Sequence, residues 1–218
     1  YSHRGTSFDS SLLDAYLQMR AGAIRSALVG GHDEMTTEYF KMLGKIGYWK
    51  NGDVSPETLH KSDSQGSLSG SCSLNMLLTD HADADTLCQL AGMDMLYEPT
   101  IDELRTAAER LLQKAGLTVG ELSAVVLGLS GDCDNDRVYL DFRNALCPDA
   151  PTVWYKHLFG ESFCASAFGV YVGAECLHKK LIPSHLLYNT SEEISNPKYI
   201  LVHNHFQNKD HSLILLSL

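Results

Sequence analysis

The sequence has few basic residues, no closely spaced cysteine pair and no long apolar run, and each absence excludes a class of protein. Seventeen lysines and arginines stand against 27 aspartates and glutamates, a formal charge of −10. This charge disfavours a nucleic-acid backbone or an anionic membrane surface as a partner. The six cysteines show no C-x-x-C spacing, so we expect reduced thiols in a cytoplasmic protein and no structural zinc. The apolar runs are far shorter than a membrane span.

What the sequence does contain is enough apolar residues for a proper core. With 218 residues, 44% hydrophobic and 20% charged, it can form one large domain or two small ones. An acidic carrier protein would be repelled by the overall charge unless a local basic patch exists.

The first third of the chain predicts a helix, a buried strand and a polar excursion. Apolar residues at spacings of three and four predict a helix over 7–20. The stretch "IRSALVGG" at 24–31 reads as a strand closed by two glycines. Residues 32–66 hold a predicted helix at about 36–44 followed by turn-rich, polar sequence, which we expect at the surface.

The middle of the chain predicts two strands and the clearest helix. Residues 71–79 and 88–97 read as paired strands around the acidic turn "DHADAD", which lacks the ligand spacing of a calcium-binding EF-hand. The helix at 100–117 opens with a capping box, Thr100 and Glu103. "SAVVLGLSG" is a strand that is apolar on both faces, which predicts helices on both sides of its sheet.

The last third predicts an α/β layered plan. A helix is expected at about 160–178, with Glu161 in its first turn, where a carboxylate is favoured by the free N–H groups and the helix dipole. Strands follow at 199–206 and 212–218, joined by the polar turn "QNKD". From residue 100 the order is helix, strand, helix, helix, strand, strand.

Several residues could carry chemistry, and each also has a structural explanation. His203 and His205 form an H-x-H pair that would point both rings to one face of a strand, as a metal site requires, although ten histidines make such pairs frequent by chance. Ser130 and Ser162 lack the G-x-S-x-G context of a hydrolase nucleophile. The remaining candidates are expected to be structural, as a solvated acidic loop (Asp132, Asp134 and Asp136) and as buried packing thiols (Cys164 and Cys176).

Local strings in the same order resemble those of the β-ketoacyl synthases, the condensing enzymes of fatty-acid and polyketide synthesis. "LLDAYLQMRAGAIRSALVGGHDE" is similar to the family's nucleophile helix and the strand after it. "KHLFGESFCASAFG" resembles its K-x-x-x-G-H-x-x-G-A-A-G segment, and "VHNHFQNKDHSLILL" resembles its closing hairpin. The resemblance implies an α/β, thiolase-like layered αβα fold that lacks the first part of the N-terminal half. Residues 1–98 would be the remainder of that half, and 99–218 the C-terminal half.

The resemblance also implies where catalytic residues should lie. The family uses a cysteine thiolate as nucleophile and two histidines that assist decarboxylation and hold the developing enolate oxygen. Counting from the matching motifs places Gly5 (or Thr6) at the cysteine, Gly128 at the first histidine and Glu161 at the second. Lys156 and Phe206 match the family's own residues.

The replaced positions favour one function and leave two others open. The chain resembles the chain-length factors, ketosynthase-like subunits that lack the nucleophile and shape the acyl tunnel of an active partner. An active condensing enzyme with an atypical site stays open, because His3, His203, His205 and His211 could converge. A hydrolase or metal-binding protein that uses His203 and His205 is the third hypothesis. We expect no cofactor and no metal, and either an acyl carrier protein or an active ketosynthase as partner. The assembly would be a homodimer or a heterodimer that involves 24–31.

Overall fold

A computed structural model of the chain describes residues 2–52 and 54–218. Its helices are α1 (Ser7–Arg20), α2 (Thr37–Lys45), α3 (Ile101–Lys114), α4 (Cys133–Leu146), α5 (Lys156–Phe159) and α6 (Ser166–His178). Its strands are β1 (Ser26–Asp33), β2 (Cys72–Thr79), β3 (Gln89–Tyr97), β4 (Ala124–Leu127), β5 (Thr152–Trp154), β6 (Leu181–Ile182), β7 (Ile194–Ser195), β8 (Tyr199–Phe206) and β9 (Asp210–Ser217).

Five strands form a mixed sheet in the order β3-β9-β8-β4-β5. Strand β4 runs parallel to β5 and β8, whereas β9 is antiparallel to β8 and to β3. Because β4 and β8 are parallel neighbours, the residues that follow them emerge at the same edge of the sheet.

Helices cover both faces of this sheet, as the sequence predicts. Along β4, Ala124 and Val126 pack into one apolar cluster with α1 and α6, while Val125 and Leu127 pack into a second cluster with α3 and α4. All four side chains are fully buried, which is the pattern of a strand between two helical layers. The layered αβα prediction is confirmed.

Strands β1 and β2 form a separate antiparallel ribbon. Leu28 and Leu77 are register partners on its outer face and are 73% and 69% exposed. Within the described residues no strand pairs with the second edge of β1, so its N–H and C=O groups on that side have no ladder partner.

The predicted pairing of 71–79 with 88–97 is wrong. Strand β2 pairs with β1, and β3 pairs with β9 at the edge of the larger sheet. Nine residues separate the two strands, and no two-residue hairpin turn fixes their register. Strand β3 therefore belongs to the sheet of the residues after 99, and the division of the chain at residue 98 stays a prediction.

The start of the helix expected at 160–178 is wrong, because α6 begins at Ser166 and the short helix α5 before it ends at Phe159. Gly160 has φ +74, which ends α5, and its Cα lies 3.0 Å from where a Cβ on Gly70 would stand. This close backbone approach lets Glu161 form an isolated β-bridge with Ser69. Glu161 thus lies between α5 and α6 and is not in a first helical turn, so dipole capping does not explain it.

Most of the other predictions for single elements agree with the structure, but β1 runs through Gly30 and Gly31 to Asp33 and is not closed by the two glycines. Helix α1 spans 7–20, and the capping box of Thr100 and Glu103 is present at the start of α3. The segment 32–66, which the sequence predicts at the surface, is in part packed into the interior, because Trp49 and Leu59 are buried. The closing hairpin turns at Gln207 and Asn208, both with positive φ, as a type I′ turn requires. In the described part of the chain, every helix is too short or too polar to cross a bilayer.

Candidate functional site

A cavity of about 200 Å³ lies at the edge where β4 and β8 end. Its wall includes all five positions that the family motifs selected, which are Gly5, Gly128, Lys156, Glu161 and Phe206. They come from the turn before α1, the end of β4, the start of α5, the bridge before α6 and the end of β8. The sequence therefore identifies one spatial site from five separate segments, while the catalytic equivalence of these residues stays a prediction.

The space beside Gly5 is filled by Phe206. A Cβ built on Gly5 would overlap the Phe206 ring and lie 3.1 Å from the Phe206 Cβ. The ring is held from its other side by Phe163, with ring centroids 5.8 Å apart. A cysteine side chain at Gly5 would therefore fit only if Phe206 moved.

The space beside Gly128 is filled by the hydroxyl of Tyr139. A Cβ on Gly128 would overlap that hydroxyl and lie 3.3 Å from Asn204 Oδ1. Tyr139 Oη donates to Asn204 Oδ1 at 3.2 Å and accepts the His205 N–H at 3.0 Å. Burial raises the pKa of Tyr139 to about 12, so the group is a neutral hydroxyl near pH 7.

Lys156 and Glu161 form a buried ion pair in the cavity wall. Lys156 Nζ lies 2.6 Å from Glu161 Oε2, and the two side chains are 6% and 18% exposed. Burial is the largest single influence and lowers the pKa of the Lys156 ammonium, but the interactions with Glu161, Tyr139 and Tyr155 together raise that pKa well above its usual range. The second oxygen of Glu161 accepts the Ser162 N–H at 3.1 Å. The pair is charged, so Lys156 cannot act as a base.

The strand histidines converge, and over the described residues two of their buried ring nitrogens, His203 Nδ1 and His211 Nε2, have no hydrogen-bond partner. His203 Nε2 lies 3.1 Å from His211 Nδ1. His205 Nε2 donates to the Asn135 carbonyl at 3.0 Å, and His205 Nδ1 accepts the Asn208 N–H at 3.2 Å. His203, His205 and His211 are neutral, because burial lowers their pKa values, to about 3 for His205 and about 4 for His211.

The metal hypothesis finds no support in this geometry. Over residues 2–52 and 54–218, no three histidine, cysteine or acidic side chains are arranged to hold a metal ion. His3, which the active-enzyme hypothesis brings to the site, is exposed and does not line the cavity. Of the four histidines in that hypothesis, His205 alone lines it.

The acidic loop is structural and is not fully solvated, contrary to expectation. Asp132 caps α4 by accepting the N–H groups of Asp134 and Asn135. Asp136 accepts the N–H groups of Ser130 and Gly131 at 2.8 and 2.9 Å. Burial raises the pKa of Asp136 to about 6. These bonds fix the backbone between β4 and α4, which forms part of the cavity wall.

The candidate nucleophiles have no activating base. Ser130 Oγ accepts a hydrogen bond from Ser67 Oγ at 2.9 Å, and Ser162 lines the cavity beside the Lys156–Glu161 pair. Cys164 and Cys176 are buried as expected, and burial raises both thiol pKa values, to about 11 for Cys176. Cys164 lies before α6 rather than within it. All six cysteines are unpaired.

Sequence reasoning missed the side chains that occupy the replaced positions. Tyr139 and Asn204 have no motif of their own, and Tyr48 and Ser67 belong to the excursion that was expected at the surface. The glycine at 128 is the one available signal, because a missing side chain in a packed interior implies that another group fills its space.

Solved structures share this architecture. A ketosynthase in complex with its chain length factor from Xenorhabdus doucetiae matches 98% of this chain and 58% of its own, at 15% identity and a TM-score of 0.81. A β-ketoacyl synthase from Burkholderia phymatum matches 98% and 60%, at 15% identity and 0.80. The chain has the thiolase fold of the ketosynthases.

Other comparisons set the limits of that likeness. A type II polyketide synthase ketosynthase, solved with its acyl-carrier protein and bound to the hexaketide, matches 98% of this chain and 61% of its own, at 14% identity and a TM-score of 0.80. The chain thus spans about three fifths of the length of these proteins. Comparison with protein-family models and with curated protein sequences finds no match.

Proposed function

We propose that the chain is a non-catalytic ketosynthase-like subunit of fatty-acid or polyketide-type biosynthesis, which pairs with an active ketosynthase and shapes its acyl tunnel. The proposal is supported by the fold, by the cavity that the five motif-selected residues line and by the contents of that cavity. The six free cysteines support a reducing, cytoplasmic compartment for it.

The filled positions carry the proposal. Phe206 occupies the space of a nucleophile side chain at Gly5, and Tyr139 occupies the space of a histidine at Gly128. The third position holds Glu161, whose negative charge would repel a developing enolate oxygen and is already paired with Lys156. A simple loss of two side chains would leave empty space directly beside Gly5 and Gly128, whereas here Phe206 and Tyr139 fill that space.

Condensation at this site would lack both a cysteine nucleophile and a free base. No cysteine is among the described lining residues, and the hydroxyls there have no free base to activate them, because both ring nitrogens of His205 are hydrogen-bonded. The atypical active enzyme remains the alternative that the experiment must exclude.

The activity test uses labelled acyl and malonyl carrier-protein thioesters with the purified chain. We expect no acylated residue by intact-mass measurement and no condensation product. Stoichiometric acylation followed by carbon–carbon bond formation would establish the active alternative instead.

A stability measurement tests the packing directly. Gly5→Ala should lower the unfolding midpoint because its methyl group overlaps the Phe206 ring, and Phe206→Ala in the same chain should remove most of that loss. Equal losses from Gly5→Ala in both backgrounds would mean that Phe206 does not fill the position.

The partner is inferred from the open edge of β1 and from the neighbours. The Xenorhabdus ketosynthase is in complex with its chain length factor, and the polyketide ketosynthase is in complex with its acyl-carrier protein. In this chain, the eight-residue edge of β1 is free over the described residues, beside the exposed Leu28 and Leu77. We infer a homodimer or a heterodimer that uses this edge, with an acyl carrier protein as a further partner.

Light scattering at several concentrations tests the dimer. Ala27→Asp, within β1, should weaken association, whereas Ala23→Asp, in the exposed turn before the strand, should not. A folded chain that is monomeric at every concentration, both alone and with an active ketosynthase, would refute the interface.

A further inference from the structure

We propose that Asn51 is a self-modification site, at which attack by the Gly52 backbone nitrogen converts the side-chain amide to aspartate and isoaspartate. Water is the other reactant, and no enzyme takes part. The chain has eight asparagines, and Asn51 alone combines an exposed, unbonded side-chain amide with a following glycine. This chemistry goes beyond the proposed function and does not depend on it.

The reaction begins when the Gly52 nitrogen attacks Asn51 Cγ. A C–N bond forms, the proton of the Gly52 nitrogen passes to solvent, and the side-chain nitrogen of Asn51 leaves as ammonia. Water then opens the cyclic succinimide at one of its carbonyl carbons. Opening at one carbonyl gives aspartate. Opening at the other gives isoaspartate, in which the main chain runs through the former side-chain carbons.

The surroundings of Asn51 and Gly52 leave the reacting groups accessible. Both residues are exposed and lie in a bend. Over the described residues, neither the Asn51 side chain nor the Gly52 N–H makes a hydrogen bond. Gly52 has φ +84, and beyond its chain neighbours no described atom lies within 4 Å of where its Cβ would stand. Because glycine has no side chain and adopts many dihedral angles, its nitrogen can approach the Asn51 amide.

The asparagines in other turns are each blocked by a specific feature. The Asn189 amide uses both Oδ1 and Nδ2 in hydrogen bonds to main-chain groups, at 2.9 and 3.2 Å. Asn196 precedes a proline, whose nitrogen carries no proton. Asn208 precedes Lys209, whose N–H donates to a main-chain carbonyl at 3.0 Å. Regular dihedral angles constrain the four that remain within helices and strands, which are Asn75, Asn135, Asn144 and Asn204.

The products would act on the cavity wall through the residues before Asn51. The Lys50 N–H donates to the Ser67 carbonyl, and the Ser67 N–H donates to the Tyr48 carbonyl, both at 3.0 Å. Tyr48 and Ser67 line the cavity. Lys50 Nζ also donates to the Ser64 carbonyl at 3.1 Å. A carboxylate at position 51 would compete for the Lys50 ammonium. Isoaspartate would in addition lengthen the main chain beside Lys50, so it should loosen these hydrogen bonds.

Peptide mass spectrometry measures conversion at every asparagine of the folded chain, kept in warm, mildly alkaline buffer. Asn51 should convert at least about tenfold faster than any other asparagine, since it alone precedes glycine. Labelling with an isoaspartate-specific carboxyl methyltransferase should detect isoaspartate at position 51.

Variants assign the reaction to this pair. Asn51→Gln should remove the fast release of ammonia, because the longer side chain places its amide one methylene further along. Gly52→Ala should slow conversion about tenfold, since a Cβ restricts the approach of the nitrogen. Asn144→Gln, at an exposed position of α4, is the matched control and should leave conversion at Asn51 unchanged.

Hydrogen exchange tests the effect on the cavity wall. In the purified isoaspartate form, the Ser67 N–H should exchange at least about threefold faster than in the unmodified chain. Asn51→Asp adds the same charge without lengthening the main chain, and should change that rate less.

Three results would contradict the proposal. Conversion of Asn51 no faster than that of Asn208 would overturn the site. Fast ammonia release that continues in the Asn51→Gln chain would also overturn it, because another amide would then be the source. Unchanged exchange of the Ser67 N–H in the isoaspartate form would overturn the effect on the cavity wall.

Discussion

The five-stranded sheet and the β1–β2 ribbon differ in how completely the chain covers them. The sheet is buried between two helical layers, with Leu201 and Leu213 fully enclosed at its centre. The ribbon has two strands, an open edge and two outward leucines. A two-stranded ribbon has little stability by itself. The five-stranded sheet should therefore contribute most of the stability of this chain.

Matched leucine truncations should give the largest difference between the two regions. Leu201→Ala, in the sheet, leaves a cavity and should reduce the free energy of unfolding by about 2–5 kcal/mol. Leu77→Ala, on the ribbon, should change it by less than about 0.5 kcal/mol. Urea denaturation followed by circular dichroism measures both. Similar losses would mean that the ribbon's outer face is buried in the molecule as it exists in solution.

Acid should destabilise the sheet by a comparable amount. In the folded state burial lowers the pKa of His205 to about 3 and of His211 to about 4, and holds that of His203 well below its usual value of 6.5. The unfolded chain therefore binds more protons below pH 6.5, and stability is complete above that pH and lost as the pH falls towards 4. We expect a loss of about 3–6 kcal/mol by pH 4.5.

Two buried carboxyl groups, Asp9 and Asp136, oppose this trend, because burial raises the pKa of each. The raised pKa of Asp136, about 6, means that the folded state holds this proton longer, so its contribution falls as the pH rises from 3.8 to 6. A His203→Asn variant should flatten the pH dependence of stability, whereas His81→Gln, at the exposed end of the ribbon, should not. A flat profile in the parent chain would contradict the buried, neutral cluster.

Ion pairs provide the third contrast. Lys156→Met leaves Glu161 buried without a partner and should destabilise the fold by about 3–5 kcal/mol before relaxation or protonation of Glu161 reduces that figure. Arg25→Met breaks the pair with Asp80 at 2.9 Å at the end of the ribbon, where Arg25 is 84% exposed, and should leave the midpoint unchanged within error. Comparable shifts would show that the ribbon end is covered.

The smallest expected difference between the two regions is in the rate at which their cysteines are alkylated. Brief alkylation of the native chain should leave Cys164 and Cys176 unmodified, because burial blocks access and raises both thiol pKa values. Cys72, at the start of β2, is also buried, and burial raises its pKa to about 12, so longer exposure should label it ahead of Cys176, on α6, only through local opening of the two-stranded ribbon. Mass spectrometry resolves the order. Labelling of Cys176 first would mean that the region around α6 opens more readily than the ribbon.

Sequence reasoning succeeded where one local pattern determines one element. The capping box of Thr100 and Glu103 marks the start of α3, and the apolar run of β4 predicts helices on both faces. Partner choice between strands is not local, so β2 was paired with the wrong strand. Glu161 was misplaced because the left-handed turn at Gly160 depends on a contact with Gly70, about 90 residues away in the sequence.

The sequence predicts where the candidate site lies but not which side chains fill it. Spacing within the matching motifs leads to five residues that do line one cavity. Spacing could not show that Tyr139 and Phe206 fill the vacated space, because both contacts join segments that are distant in the sequence. A motif predicts where a residue lies, whereas tertiary packing determines which side chains fill the space beside that residue.

The hydrogen bonds from both ends of the chain to the cavity region fix the order in which the site can be built. Asn204 Nδ2 lies 3.5 Å from the Gly5 carbonyl oxygen, 199 residues apart, and Ser212 Oγ donates to Asp9 across 203 residues. Such distant contacts are slow to form. During synthesis the turn before α1 therefore cannot make these contacts until β8 and β9 have left the ribosome, and a chain truncated before β8 would lack the part of the cavity wall formed by Asn204, His205 and Phe206.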